Sequence, residues 1–304
     1  MKKEFEKFSE NICLTETQEK DAKTKYEGVC KKLHSSYYET KYDGSTKFLF
    51  GSYKTKTNIR PLTPEQDVDV IFKIPEETYE KFKAYDGNGP SALLQEIREI
   101  LKEKYTTTDK IKAWGKVVLV QFDDNSHNVE LLPAYEKSDN SFTIPNSSDG
   151  GHWEKFNPRE EINSFQSSNT KTNGLTADIV RMLKAWVHNT TSLDYKSYLL
   201  QKDVIKFLST NYKNGAKYSV YSNVIKDFFD YLERNCDESI HSHVETALDR
   251  ATKACFFESK EKFREASDEW RNIFGSEFPV SENNQTTDCS TRIFSTPNKP
   301  YGYY

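Results

Sequence analysis

Gly51-Ser52-Tyr53-Lys54-Thr55-Lys56-Thr57-Asn58-Ile59-Arg60-Pro61-Leu62, followed shortly by Asp67-Val68-Asp69-Val70, is the stretch on which the reading of this chain turns. Residues i and i+2 of a strand point the same way. Asp67 and Asp69 therefore share one face, and Val68 and Val70 turn toward a core. Two carboxylates held so close repel each other unless a cation lies between them. A hard divalent ion with oxygen ligands suits the pair. Taken alone, such a pair reads equally well as two solvated acids on an edge strand.

Asn128-Val129-Glu130-Leu131-Leu132 adds weight, because Val129 and Leu131 share a face and Glu130 takes the other. A strand position beside Asp67 and Asp69 would bring three carboxylates together. Acids so grouped can hold two metal ions about 4 Å apart, a geometry that suits in-line attack of a hydroxyl on a phosphoryl group. Without the Asp pair, Glu130 would be an exposed acid on an alternating strand. Gly51-Ser52 supplies the remaining part. Glycine lets backbone approach a phosphate, a helix start offers free N–H groups, and the Ser52 hydroxyl adds a hydrogen bond. Gly-Ser alone is most often a turn; here it precedes Asp67 by fifteen residues and has Glu130 on a later strand.

Outward from this stretch, Thr15 with Gln18 forms a capping box, and Ala22, Tyr26, Val29, Leu33 and Tyr37 fall on one helical face. A long helix over about 15–42 follows. Strands are expected at 47–50, 68–72, 116–122 and 128–132, the last ended by Pro133, with a helix over 91–104. Asp123 and Asp124 fall in hairpin-turn chemistry and are poor substitutes for Glu130. Residues 136–152 are rich in Ser, Asn, Asp and Gly and read as a surface loop. Beyond them the pattern is helical, at 158–168, 174–189, 197–211, 220–235 and 243–274, with Gly275 as a stop. The expected architecture is α+β. Residues 1–155 form a catalytic lobe with mixed sheet and long N-terminal helix, 156–275 a helical lobe, and 276–304 an irregular tail.

At 304 residues the chain has room for two modest domains. Its 43 Lys+Arg against 47 Asp+Glu leave no surface-wide basic coat, which disfavours binding of long nucleic acid. No apolar run of membrane-spanning length occurs, and no apolar stretch follows the charged N-terminus, so neither a span nor a secretory signal is expected. Cys13, Cys30, Cys236, Cys255 and Cys289 are scattered, without zinc-ligand spacing; reduced thiols in a cytoplasmic protein are the simplest reading. His34, His127, His152, His188, His241 and His243 share no metal-ligand spacing either.

Gly51-Ser52, Thr57 to Leu62, Asp67-Val68-Asp69-Val70 and Val129-Glu130-Leu131-Leu132-Pro133-Ala134 together resemble the DNA polymerase β-type nucleotidyltransferase superfamily. More narrowly, the chain resembles the cGAS/DncV-like nucleotidyltransferases (CD-NTases) of CBASS antiphage defence, clade D being the nearest group. Asn173-Gly174, Ile179 to Trp186, Ser197-Tyr198-Leu199-Leu200 and Trp270 to Pro279 carry that narrower likeness. The resemblance spans about 45–279. It implies a polymerase β-like nucleotidyltransferase lobe and a helical lobe with the active site in the cleft between them. It also implies two Mg²⁺ ions (or Mn²⁺) on Asp67, Asp69 and Glu130, with Glu130 helping to activate the attacking ribose hydroxyl. Gly51 and Ser52 would hold the donor triphosphate, Lys184 and Ser197 would reach the phosphates, and Tyr198 would stack on a base. One departure stands out: the family's third carboxylate is usually Asp, and Glu130 is one methylene longer.

The product implied is a cyclic di- or trinucleotide made from NTPs, ATP among them, and read by a downstream effector. A protein activator or a conjugation machinery is an implied partner, although the Tyr304 end does not suit conjugation untrimmed. The zinc cluster of animal DNA-sensing relatives is absent, so stable double-stranded DNA binding is not expected. Two other readings stand beside this one. A polymerase β-type enzyme could modify another acceptor, such as an RNA end, a protein or a small molecule. A non-enzymatic nucleotide-binding or toxin-neutralising module would have no use for the three acids. Read without the resemblance, Lys184 is a solvated helix lysine, Tyr198 a core residue, and Lys54 and Lys56 a solvated charge run.

Overall fold

A computed structural model describes residues 1–62, 67–106, 110–122, 126–211 and 221–281. Asp123, Asp124, Cys289 and the tail beyond Ser281 lie outside the described residues. The chain divides into two compact units, Leu14–Asn163 and a second made of Met1–Cys13 with Ser164–Tyr304.

The Leu14–Asn163 unit opens with a helix, Glu16–Tyr37, started by the expected capping box: Thr15 accepts from Gln18 N, and Thr15 N donates to Gln18 Oε1. The helix stops five residues short of the expected end; this is α2, because an earlier helix, α1 (Lys2–Ile12), precedes it. The strands are β1 (Lys47–Leu49), β2 (Asp67–Lys73), β3 (Ile111–Trp114), β4 (Val117–Val120), β5 (Asn128–Glu136), β6 (Phe142–Asn146) and β7 (His152–Phe156). Helices α3 (Gly51–Thr55), α4 (Glu76–Lys83) and α5 (Gly89–Lys104) lie between them in sequence.

The sheet order is β1-β2-β5-β4-β3, with β6 on β5 and β7 on β6. It is mixed: β2 and β5 run parallel, and the other pairs are antiparallel. Val68, Val70, Val129 and Leu131 join α2 and α5 side chains in one core. The opposite face carries a smaller cluster of Ile71, Leu132, Ala134, Phe142 and Ile144.

Pro133 does not end β5: it pairs with Phe72 of β2, in the gap between residues paired to β4 (Val129–Leu131) and to β6 (Tyr135, Glu136). A missing N–H is tolerated at such a place. The expected loop 136–152 contains β6 and the start of β7. Its turn chemistry is real but local, Asp139 Oδ1 accepting from Ser141 N, and Phe142 and Ile144 beyond it are buried.

The second unit holds α1 and, from the later chain, α7 (Leu175–Asn189), α8 (Ser197–Asn211), α9 (Tyr221–Glu233), α10 (Glu238–Ser259) and α11 (Phe263–Phe274); α6 (Pro158–Lys171) begins in the first unit. The expected single helix over 243–274 is therefore two, broken where Glu261 adopts φ 58°. Phe5 and Phe8 of α1 pack against Trp270, Phe274 and Phe278. Among the described residues no helix is long and apolar enough to cross a membrane.

Candidate active site

Parallel pairing of β2 with β5 sets the register Asp67↔Asn128 and Asp69↔Glu130. Paired residues of neighbouring strands present their side chains to the same face. Asp67, Asp69 and Glu130 thus stand together on the face opposite the Val68–Val70 core, and all three are half-buried. Burial, and then the nearby Asp67 charge, push the Glu130 carboxyl above its ordinary value.

Gly51 packs directly on this row. Its φ is +60°, and a Cβ there would overlap Asp69 Oδ2 and lie 2.9 Å from Cγ. Close approach is thus the reason for glycine, but the group approached is the Asp69 carboxylate. Phe50 N also donates to Asp69 O at 3.3 Å, fixing α3 against β2.

After α3, Lys56 takes a left-handed conformation and turns the chain back. Thr57 N donates to Ser52 O at 2.9 Å, and Asn58 Nδ2 donates to Ser52 Oγ at 3.0 Å. Lys56 pairs with Glu19 at 3.3 Å, in keeping with a solvated charge run, and Lys54 is exposed. Sequence reasoning gave Asn58 no role of its own.

Three expected site residues lie in the other unit. Lys184 is half-buried on α7, and Ser197 and Tyr198 open α8. Tyr198 is 52% exposed, so the core-packing alternative does not hold for it; Leu200 is the buried residue there. Asn173 (φ 53°) and Gly174 (φ 93°) are both left-handed and form the turn into α7.

Among the described residues no three carboxylate, imidazole or thiol groups already close on one point as a metal cage. The acids form a row, two on β2 and one on β5. In chemistry the row suits hard divalent cations: its ligands are carboxylate oxygens, and its crowded charge, felt at Glu130, is what such ions offset.

The profile of the Second Messenger Oligonucleotide or Dinucleotide Synthetase domain family matches residues 1–169. The chain belongs to this family. It is a nucleotidyltransferase of the cGAS/DncV-like kind, a cyclic oligonucleotide synthase. A probable cyclic nucleotide synthase of Bacillus cereus is 23% identical over 293 residues, covering 79% of this chain and 84% of that protein. E. coli MS115-1 CdnC, solved with ATP, superposes with TM-score 0.65 at 18% identity, covering 91% of this chain and 98% of that one. CdnC is also solved in a complex with HORMA-deltaN. Vibrio cholerae DncV, a cyclic AMP-GMP synthase solved with nonhydrolyzable GTP, gives TM-score 0.65 at 15% identity, covering 90% and 93%. These likenesses agree with the α+β fold, its mixed sheet and its helical portion.

Proposed function

We propose that this synthase joins NTPs, ATP among them, into a cyclic di- or trinucleotide messenger of antiphage signalling, using Asp67, Asp69 and Glu130 with divalent cations. The observation that carries the site assignment is the β2–β5 register, which sets Glu130 beside Asp69 on the face that Gly51 adjoins. When bound, two Mg²⁺ ions (or Mn²⁺) would lower the pKa of the attacking hydroxyl and neutralise the leaving pyrophosphate.

Asp67 and Asp69 would hold the ions. Glu130 would complete the set and draw the proton from the ribose hydroxyl. That oxygen then bonds to the α-phosphorus as the bond to the bridging oxygen breaks and pyrophosphate leaves. Ser52 donates to the triphosphate. In the helical unit, Lys184 and Ser197 contact phosphates and Tyr198 offers a ring to a base. Support for NTP substrates and for a protein partner comes from the relatives solved with ATP, with nonhydrolyzable GTP and with HORMA-deltaN.

The test is incubation with radiolabelled ATP, GTP, CTP and UTP, singly and mixed, with Mg²⁺ and then Mn²⁺. Phosphatase-resistant label is expected from the wild type and none from Asp67→Asn/Asp69→Asn with an unchanged fold. Full activity in that double variant would sink the assignment. Label that ends on added RNA or protein, with no closed product, would move the reading to another acceptor.

A further inference from the structure

Ser52 is half-buried and accepts a hydrogen bond from Asn58 Nδ2, 3.0 Å away. Asn58 itself is buried at 7% exposure, and the turn at Lys56 and the Thr57 N to Ser52 O bond hold it in place. A hydroxyl has one hydrogen to give and two lone pairs to receive. Serine and threonine at helix starts commonly spend that hydrogen on a nearby carbonyl. Thr55 does so here, giving its hydroxyl to Gly51 O at 3.1 Å. Among the described residues no such acceptor takes the Ser52 Oγ hydrogen.

We propose that Asn58 is a positioning residue for Ser52: by occupying one lone pair of Ser52 Oγ it fixes the hydroxyl rotor and leaves its hydrogen to be donated to a triphosphate oxygen. Asn58 touches no reacting atom and acts through Ser52. The inference rests on the reading of Ser52 as a triphosphate ligand. It also explains why a buried amide sits six residues past Ser52, at a position where an apolar side chain would pack without needing a partner.

The experiment is equilibrium binding of ATP and of GTP, each with Mg²⁺, to the full chain and to Ser52→Ala, Asn58→Leu and Ser52→Ala/Asn58→Leu. Equilibrium binding is read without turnover. Each single variant is expected to weaken binding about fivefold to tenfold. The double variant should bind like Ser52→Ala alone, because the coupled pair has already lost its contact. A merely structural Asn58 would instead multiply the two losses, and that result overturns the proposal, as does wild-type affinity in Asn58→Leu. Wild-type affinity in Ser52→Ala would mean that Ser52 does not bind the triphosphate, which fails the parent reading and the inference with it.

Asn58→Asp keeps the shape and covers the case in which Asn58→Leu does not fold. Its carboxylate takes the Ser52 hydrogen instead of giving one, so it should weaken binding more in the Ser52 background than in Ser52→Ala. Equal penalties in the two backgrounds would overturn the proposal.

Discussion

At the residue scale, Gly51 and Glu130 make opposite demands. Gly51 must have no side chain: its left-handed backbone would cost another residue about 1–2 kcal/mol, and a Cβ would displace the Asp69 carboxylate. Gly51→Ala should therefore lose at least about 100-fold in NTP turnover, since a ligand moved by about 1 Å costs that much. Its melting temperature should fall only modestly, and steady-state rates beside a thermal melt check both. Glu130 must carry charge in a place that resists it. Its folded pKa lies above the unfolded one, so the folded chain keeps a proton that the unfolded chain releases. Stability therefore falls as pH rises from the ordinary glutamate value through the raised one. Glu130→Gln should melt higher than wild type at pH 7.5 without divalent ions, and the gap should close on acidification below the glutamate range. Added Mg²⁺ should raise the wild-type melt more than that of Glu130→Gln. A Glu130→Gln melt at or below wild type at pH 7.5 would refute the account. Both residues were legible in sequence as types. The close approach of Gly51 to Asp69 was not, because it depends on how α3 packs on β2.

At the scale of elements, sequence signals succeeded where they were local. The capping box of α2 and the alternation of β2 and β5 needed only neighbours in sequence. They failed where tertiary contacts overrode a local cue. Phe142 and Ile144 are two buried residues between turn-forming segments, and only pairing with β5 on one side and β7 on the other makes a strand of them. Pro133 reads as a stop until the partners of β5 are known. The break between α10 and α11 was hidden for another reason: it uses Glu261 at φ 58°, where glycine would have announced it. That leaves a correctable strain. Glu261→Gly should stabilise the helical unit by up to about 1 kcal/mol, the left-handed penalty less glycine's greater unfolded freedom. Chemical denaturation followed by Trp fluorescence, with Trp186 and Trp270 buried in this unit, reads it out; destabilisation would argue that the Glu261 side chain matters more than its backbone.

At the scale of the whole molecule, chain order and compact units do not coincide. The first thirteen residues belong with the chain from Ser164 onward, while Leu14–Asn163, between them in sequence, makes up the other unit. The sequence holds the cue, since Phe5, Phe8 and Ile12 repeat at helical spacing and are buried, but nothing local says which partner they meet. The Trp270–Pro279 segment, one of those that carry the sequence resemblance, supplies it. Trp270, Phe274 and Phe278 stack about α1, Trp270 Nε1 donates to Glu258 Oε1 at 2.8 Å, and Arg271 Nη1 donates to Phe278 O at 2.8 Å to hold the last ring in place. Phe8 sits with its ring 4.8 Å from that of Phe274 and no exposure. Truncating such a side chain costs about 3–5 kcal/mol. A chain of two units need not unfold in one step, so the loss is read locally. In Phe8→Ala, amide exchange within α1 and α11 should quicken roughly 100-fold or more, the lower end of that cost converted at 1.4 kcal/mol per tenfold. Unchanged exchange in α11 would show that the Trp270–Phe278 segment is held by something other than the N-terminal helix.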